Sequence, residues 1–142
     1  MRIADVLRNK GSAVTTVCPE TSVRELLDLL TRHNIGALIV VDNDSVIGMV
    51  SERDVVRGIQ QRGADALTDR VFDIMTTELF TCLPTDSIDS LAETMTEHRI
   101  RHLPVMLDRR LVGIVSIGDV VKSRMDELQN ERDQLESYID RG

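Results

Sequence analysis

The sequence predicts an α+β fold made of two similar halves, each a small sheet with helices, followed by a helical extension. Two observations carry this prediction. The chain repeats itself without a gap, and each copy alternates short apolar strands with amphipathic helices. A half of about 60 residues buries too little surface to be comfortably stable alone. We therefore expect two pseudo-symmetric units that pack sheet to sheet.

The repeat appears when the chain is compared with itself at an offset of 65 residues. The 38 positions from Pro19 to Val56 then contain 14 identities. The best matched phrase is GMVSERDVV, which begins at Gly48 and returns as GIVSIGDVV from Gly113. Such internal similarity indicates two copies of one supersecondary unit.

A prefix also repeats, at a slightly different offset. The segment IADVL from Ile3 resembles VFDIM from Val71. We place repeat one at residues 1–66, repeat two at 67–124, and a C-terminal amphipathic helix at 125–142. Gln61–Arg70, with its glycine, is read as the linker between the repeats.

Each copy has the same predicted order of elements. A prefix helix and a brief strand, near Thr15–Val17 or Phe80–Cys82, precede a helix whose apolar residues recur at i, i+3, i+4 and i+7. Ser22, with Glu25 three residues later, predicts the start of that helix in repeat one. A hairpin and a second helix follow, with predicted strands at Ala37–Val41 and Val46–Val50, and at His102–Met106 and Leu111–Val115.

Composition excludes several classes of protein. The formal net charge is -7, so we expect no nucleic-acid partner and no anionic membrane surface. No apolar run approaches a membrane span, and the N-terminus is too charged for a signal peptide, so we expect a cytoplasmic protein. Cys18 and Cys82 lack metal spacing and are read as small buried residues. The chain is too short for a catalytic eight-stranded barrel.

The repeated phrase lies where a strand ends and a helix begins, and it admits two interpretations. Ser51 with Asp54, and Ser116 with Asp119, have the spacing of reciprocal helix caps. The same geometry offers a phosphate backbone N–H groups and a hydroxyl, while the aspartate accepts hydrogen bonds from a ribose diol. The glycine three residues before each serine allows a close approach to the strand. The residues alone leave both interpretations open.

Two copies that each end in G-[IMV]-V-[ST]-x-x-D-[VL] resemble a tandem pair of CBS domains, the module named after cystathionine beta-synthase. The stretch HRIRHLPV from His98 is similar to the family's middle motif. The resemblance runs from about Arg2 to Lys122. It implies a regulatory module that binds an adenine nucleotide, such as AMP, ADP, ATP, NAD or S-adenosylmethionine, in clefts between the repeats. It also implies a homodimer.

The resemblance assigns candidate roles to residues of this chain. Asp54 and Asp119 become ribose ligands, and Ser51 and Ser116 become phosphate contacts. Arg53 is placed to add a charge-assisted bond to phosphate. Arg101 and His102 match positions that reach phosphate in family members. The residues expected to frame the base are Thr16, Val17, Ile39, Thr81 and Pro104.

The two copies cannot form equivalent sites. Gly36 and Ala37 stand opposite Arg101 and His102, and Glu52-Arg53 stands opposite Ile117-Gly118. No nucleophile with a neighbouring base and no metal-spaced cluster is legible in the sequence. We therefore expect no enzyme activity, no required cofactor and no metal.

The tail after Val121 continues as an amphipathic pattern. Val121, Met125, Leu128, Leu135 and Ile139 follow alternating steps of four and three residues, and Arg132 interrupts the stripe. This pattern suits either a solvated helix packed on its own chain or a helix that forms a dimer. The sequence thus predicts an adenine-nucleotide sensor, and the alternative is a ligand-free interaction module that docks a partner protein.

Overall fold

The computed structural model describes residues 1–11 and 13–141. The chain divides into two compact units. We call Met1–Ser12 together with Thr81–Gly142 the Asp119 unit, and Ala13–Phe80 the Asp54 unit. The units do not coincide with the sequence repeats, because the first residues of the chain group with the second repeat.

The elements follow the predicted order of helices and hairpins. The α+β class is confirmed, and so is the helical extension, which is continuous with the last helix of repeat two. The bounds are α1 Ile3–Lys10, β1 Thr16–Val17, α2 Val23–His33, β2 Ala37–Asp42, β3 Ser45–Ser51, α3 Glu52–Arg62, a 3₁₀ helix Gly63–Thr68, α4 Val71–Ile74, α5 Ile88–His98, β4 His102–Leu107, β5 Arg110–Ser116 and α6 Ile117–Arg141.

The Asp54 unit contains a three-stranded sheet in the order β1-β2-β3. β1 runs parallel to β2, and β2 pairs antiparallel with β3. In the Asp119 unit, β4 and β5 form an antiparallel pair. A strand predicted at Phe80–Cys82 is not formed there, since only a single parallel bridge joins Cys82 to Val105.

Both hairpins turn on two residues with positive φ. These are Asn43 and Asp44 in the first hairpin, and Asp108 and Arg109 in the second. Positive φ at both central positions is the requirement of a type I′ turn, whose twist matches that of the flanking strands. Asn and Asp tolerate this left-handed conformation better than most residues, which explains the polar turns in the sequence.

Each unit has its own apolar core between helix and sheet. In the Asp54 unit, Val23, Leu26 and Leu30 of α2 are buried with Leu38 and Val40 of β2. The matching core of the Asp119 unit is formed by Ile88, Leu91, Met95, Leu103, Val105 and Val115. The i, i+3, i+7 spacing of the helix residues places them on one face, and that face is the buried one.

Each of the two prefix helices packs in the unit that contains the hairpin of the other repeat. α1 belongs to the Asp119 unit, where the Ile3 N–H donates to the Asp86 carbonyl at 2.9 Å. α4 belongs to the Asp54 unit, where the Val71 N–H donates to the Thr21 carbonyl at 2.8 Å. Ile3 and Val71 are both 0% exposed. Each prefix therefore completes the core that contains the other repeat's hairpin.

Two smaller expectations need correction. Part of the segment read as a linker is a 3₁₀ helix in the Asp54 unit, and its Ala66 is buried. Cys82 is buried as expected, but Cys18 is exposed. Cys18 immediately follows the short strand β1 and precedes a turn, so the chain leaves the core at this point.

Candidate functional site

The first candidate site is the corner where β3 ends and α3 begins. Ser51 closes the strand, and its Oγ accepts a hydrogen bond from the Asp54 backbone N–H at 3.4 Å. Asp54 Oδ2 accepts from the Ser51 N–H at 2.8 Å and from the Ser51 hydroxyl at 3.0 Å. This is a reciprocal capping box, which satisfies backbone donors at the start of the helix.

The second corner, between β5 and α6, repeats this arrangement. Ser116 Oγ accepts from the Asp119 N–H at 3.2 Å. Asp119 Oδ2 accepts from the Ser116 N–H at 2.8 Å and from its hydroxyl at 3.1 Å. In both corners the cap uses only Oδ2 of the aspartate. The capping interpretation of the sequence is thus realised in both units, and Oδ1 of each carboxylate lies outside the cap.

Lys10 joins the second corner from the end of α1. Its Nζ donates to Asp119 Oδ2 at 2.7 Å and to the Ile114 carbonyl at 2.8 Å. The lysine side chain is 34% exposed and the aspartate 19% exposed, so the ion pair is partly shielded from water. At the first corner Arg57 of the same helix has its Nη1 3.8 Å from Asp54 Oδ1.

The surroundings of Asp119 stabilise its negative charge and lower its pKa. Partial burial acts to raise the pKa of this carboxyl. The hydrogen bond from Lys10, the two bonds from Ser116 and the positive charge of Lys10 act in the other direction and outweigh burial. The net result is a pKa below the ordinary value of 3.8, so Asp119 is a carboxylate at neutral pH.

The space beside Gly48 and Gly113, where a side chain would lie, is occupied by other residues of the same chain. A Cβ on Gly48 would lie 2.8 Å from the Thr76 carbonyl oxygen, and a Cβ on Gly113 would lie 2.7 Å from Leu7 Cδ2. Contacts under 3.0 Å do not occur between real Cβ atoms and their neighbours. The close approach that the missing side chains allow is therefore made by the prefix segments.

In the Asp54 unit, the predicted base-framing residues lie on the two strands beside the corner. Thr16 of β1 pairs with Ile39 of β2, and Ala37, two residues before Ile39, pairs with Ser51. Val17 belongs to the hydrophobic core, so its side chain is committed to packing. Ile39 is 0% exposed. Arg53 lies in the first turn of α3 and is exposed.

In the Asp119 unit, Arg101 and His102 reach the corner through main-chain pairing. His102 pairs with Ser116 across the hairpin, and the Arg101 carbonyl accepts from the Ile117 N–H at 2.9 Å. The Arg101 side chain is exposed and His102 is half-buried. Pro104 is buried, and its carbonyl accepts from the Cys82 N–H at 3.1 Å.

Thr81 is exposed and immediately precedes Cys82, which forms the single bridge to Val105 of β4. The structure thus brings Arg101, His102, Ser116 and Asp119 to one corner. Among the residues it describes, no group of three or more His, Cys, Asp or Glu could hold a metal ion. No helix in the described ranges is long and apolar enough to cross a membrane.

Lys10 is a member of the second corner that was not predicted from the sequence. The signal available was the prefix alignment, which matches IADVL with VFDIM and, three residues further on, places Glu78 opposite Lys10. A change from an acid to one of only two lysines in the chain marks a difference between the copies. The partner of Lys10 could not be read, because α1 packs on the second repeat's hairpin.

Most of the chain matches one known protein family. The family model described as "CBS domain" matches residues 3–61 and 71–126. The chain is 36% identical over 149 residues to the CBS domain-containing protein CBSX3, mitochondrial, of Arabidopsis thaliana, covering 99% of this chain and 72% of the relative.

Solved structures give the same result. The crystal structure of the CBS-domain containing protein ATU1752 from Agrobacterium tumefaciens superposes with a TM-score of 0.85 at 43% identity, covering 87% of this chain and 92% of that one. The CBS domain pair of protein MJ0100, in complex with 5′-methylthioadenosine and S-adenosyl-L-methionine, superposes with a TM-score of 0.76 at 24% identity, covering 89% and 98%. With two matches that together span most of its length, the chain belongs to the CBS domain family and carries two CBS domains.

Proposed function

We propose that this protein is a non-catalytic regulatory module that binds an adenine nucleotide at its two strand-to-helix corners and assembles as a homodimer. CBS domain pairs are regulatory modules without catalytic activity of their own. The finer proposal adds the ligand class: AMP, ADP, ATP, NAD or S-adenosylmethionine. In this proposal the nucleotide is a ligand, and the protein requires no cofactor.

The observation that carries the proposal is the matched geometry of the two corners. Each presents the start of a helix, a serine hydroxyl and an aspartate whose Oδ1 lies outside the cap. Backbone N–H groups at a helix start favour a phosphate, and a carboxylate oxygen accepts from ribose hydroxyls. The aspartate can cap the helix and bind a ribose at once, because the cap uses only Oδ2. The serine hydroxyl donates its one proton to that Oδ2, so it must turn away from the aspartate to donate to a phosphate.

The choice of an adenosine ligand rests on family membership. The CBS domain pair of MJ0100 holds 5′-methylthioadenosine and S-adenosyl-L-methionine, and both ligands contain an adenosine. That protein is 24% identical to this chain and shares its fold. We extend its ligand class to this chain, and we leave the particular nucleotide to experiment.

The two corners should differ in affinity. At the second corner Lys10 adds a third donor to Oδ2 of Asp119, and its positive charge makes the whole carboxylate a weaker acceptor for ribose hydroxyls, although Oδ1 stays outside the cap. At the first corner the Arg57 guanidinium is 3.8 Å from Asp54, which is too long for a hydrogen bond. We propose that the Asp54 corner fills first.

The alternative function is a ligand-free interaction module that docks a partner protein. The observation in its favour is that both aspartates face their own main chain and act as helix caps. Caps of this kind stabilise a helix by about 1 kcal/mol and require no ligand. This alternative predicts that no nucleotide changes the stability of the pure protein.

The decisive experiment is thermal unfolding of the full-length protein with AMP, ATP, NAD, S-adenosylmethionine or GTP. A ligand present at about 100 times its Kd adds roughly 2.7 kcal/mol of stability, which raises Tm by several degrees. GTP tests whether the base is selected. A flat Tm with all five compounds would contradict the proposed function and favour the interaction module.

Variants at the corners separate capping from binding. Asp54→Asn and Asp119→Asn each keep a side-chain oxygen that can accept from the serine N–H, but they lose the negative charge. Calorimetric titration should show one site lost in each variant. Tm without ligand should change little in Asp54→Asn and fall modestly in Asp119→Asn, which also loses the ion pair with Lys10. Unchanged stoichiometry in both variants would mean that the aspartates serve only as caps.

A further inference from the structure

The last helix, α6, has one face that is buried and another, apolar face that is exposed. Val120 and Ser123 are 7% and 4% exposed and face the rest of the Asp119 unit. Glu127 lies 3.5 Å from the N-terminal amine, on the same side. Beyond that point, from Leu128 to Asp140, every residue is exposed. The last three to four turns of α6 therefore project from their unit.

The projecting segment continues a helix that is already formed, but it lacks packing against the rest of its unit. In proteins most of the stability of a helix comes from tertiary packing of an amphipathic face. Within the segment, Gln129 bonds to Asp133 and Arg132 pairs with Glu136. Such i, i+4 pairs contribute only about 0.2–0.5 kcal/mol each. The segment gains a larger stabilisation if its apolar stripe is covered.

That stripe lies on the side of α6 away from Val120 and Ser123. Its apolar members are between 52% and 72% exposed, and they are Val121, Met125, Leu128, Leu135 and Ile139. Alternating steps of four and three are the spacing of a two-helix seam, in which a and d residues of each helix meet the other helix. The CBS family match ends at residue 126, so most of the stripe lies outside it.

Charge along α6 indicates what covers the stripe. The positions that directly flank the stripe carry Lys122 and Arg124 at its start, and Glu131 and Glu136 in its second half. Arg124 is already paired with Asp89 and Glu127. A second α6 laid alongside in the opposite direction would set Lys122 of each copy against Glu136 of the other. A parallel copy would instead place Glu131 opposite Glu136 of the second copy twice, with no attractive pair to offset this repulsion. The antiparallel copy has one Glu131 pair, and it gains two attractive pairs of Lys122 with Glu136.

We infer that the α6 stripe pairs with the α6 stripe of a second copy, antiparallel and centred near Asn130. This register opposes Val121 with Ile139, and Met125 with Leu135, across the two-fold axis. Arg132 faces Leu128 of the second copy and lies beside the Glu131 pair near the axis. The inference rests on the proposed homodimer and is independent of nucleotide binding.

One charged pair makes the register testable. Lys122 and Glu136 take the flanking e position of the heptad, and antiparallel helices bring e positions of the two copies together. Symmetry produces this pair twice. Within a single helix the two residues are 14 positions apart, about 21 Å, so they cannot interact in one chain.

The test measures the dimer dissociation constant of the full chain by analytical ultracentrifugation. Lys122→Glu and Glu136→Lys should each weaken the dimer about tenfold, because an attractive pair becomes repulsive twice. The double variant should restore the dimer. Asp126→Lys, which changes net charge equally but lies away from the stripe, is the matched control and should leave the constant unchanged.

A second arm tests the apolar seam. Leu128→Gln with Leu135→Gln should yield a folded monomer, since both side chains are exposed in the single chain. A dimer that survives this double change, or a charge swap that does not restore association, would overturn the inference. A wild-type protein that is monomeric at all concentrations, or that associates only with a different protein through α6, would overturn it equally.

Discussion

Lys10 and Asp119 lie 109 positions apart in the sequence, and their charged atoms meet at 2.7 Å. The contact fastens the end of α1 to the first turn of α6, and the Ile114 carbonyl holds the same ammonium at 2.8 Å. One lysine thus links the first helix, the last strand and the last helix of the Asp119 unit. It also makes the two candidate ligand corners chemically different.

Replacing Lys10 by methionine should reduce stability while keeping most of the apolar stem in place. We expect a loss of about 1 kcal/mol in the free energy of unfolding, because a partly shielded ion pair is removed. Urea unfolding at pH 7 measures it. Arg8→Met is the matched control, since Arg8 is 76% exposed in its pair with Asp5 and should cost less. An equal effect of the two changes would contradict the special role of Lys10.

The same ion pair predicts a pH dependence. The folded state lowers the pKa of Asp119 below 3.8, so its contribution is complete above the unfolded value and disappears as pH falls through the folded value. Wild-type protein should therefore lose more stability than Lys10→Met when the pH drops from 6 to below 3.8. Parallel losses in the two proteins would show that Lys10 does not set this pKa.

At high nucleotide concentration Lys10→Met should also change binding at the second corner. Removing the ammonium takes its hydrogen bond and positive charge away from Asp119, so the weaker of the two proposed sites should tighten while the Asp54 site stays constant. Calorimetric titration resolves the two. If the weaker site instead becomes weaker still, Lys10 acts as a ligand contact and the order of filling proposed above is wrong.

The repeated glycines should not be equally sensitive to substitution. Gly48→Ala drives a Cβ against the Thr76 backbone carbonyl, which cannot rotate away, and we expect a loss of about 2 kcal/mol. Gly113→Ala meets the end of the Leu7 side chain, which can change rotamer, so about 1 kcal/mol is expected. Urea unfolding gives both values.

Gly118→Ala is the control for these glycines. Its added Cβ would meet Ser116 Oγ at 3.5 Å, which is ordinary contact, and alanine favours a helix. Stability should stay equal or rise. A loss at Gly118 as large as that at Gly48 would mean that crowding is not the cause.

The two cysteines should differ in reactivity. Burial, followed by the negative charge of Asp86, raises the pKa of Cys82 to about 12, while Cys18 is exposed. Since the thiolate is the reactive form, a thiol reagent at pH 8 should modify one cysteine quickly in the native protein and two after unfolding. Cys18→Ser should abolish the fast phase, and two fast thiols in native protein would contradict the burial of Cys82.

Local sequence predicted the elements well because periodicity and turn chemistry are local properties. The stripe of Val23, Leu26 and Leu30 is buried as expected, and both polar turns adopt the positive φ that a hairpin requires. The exchange of prefix helices was not predictable in this way. α1 and α4 begin with similar residues, IADV and VFDI, so their local pattern does not indicate which core each helix enters, and tertiary packing decides.

The sequence predicted most of the residues that lie at the two corners, but it did not predict all of the contacts between them. Ser51 with Asp54, and Ser116 with Asp119, form the predicted caps. The resemblance also pointed to Arg101 and His102, which the hairpin brings to the second corner. Lys10 was missed because its partner is distant in sequence. A ligand role for these residues stays a prediction.

The prefix exchange has a consequence for the origin of the chain. An ancestral single-copy polypeptide with this arrangement would have lacked a place for its own opening helix, and two molecules would have donated these helices to each other. Gene duplication and fusion would then have turned a swapped pair into one polypeptide. Cutting the modern gene between its halves should not yield two autonomous products, because each fragment would carry the opening helix that its missing sister needs.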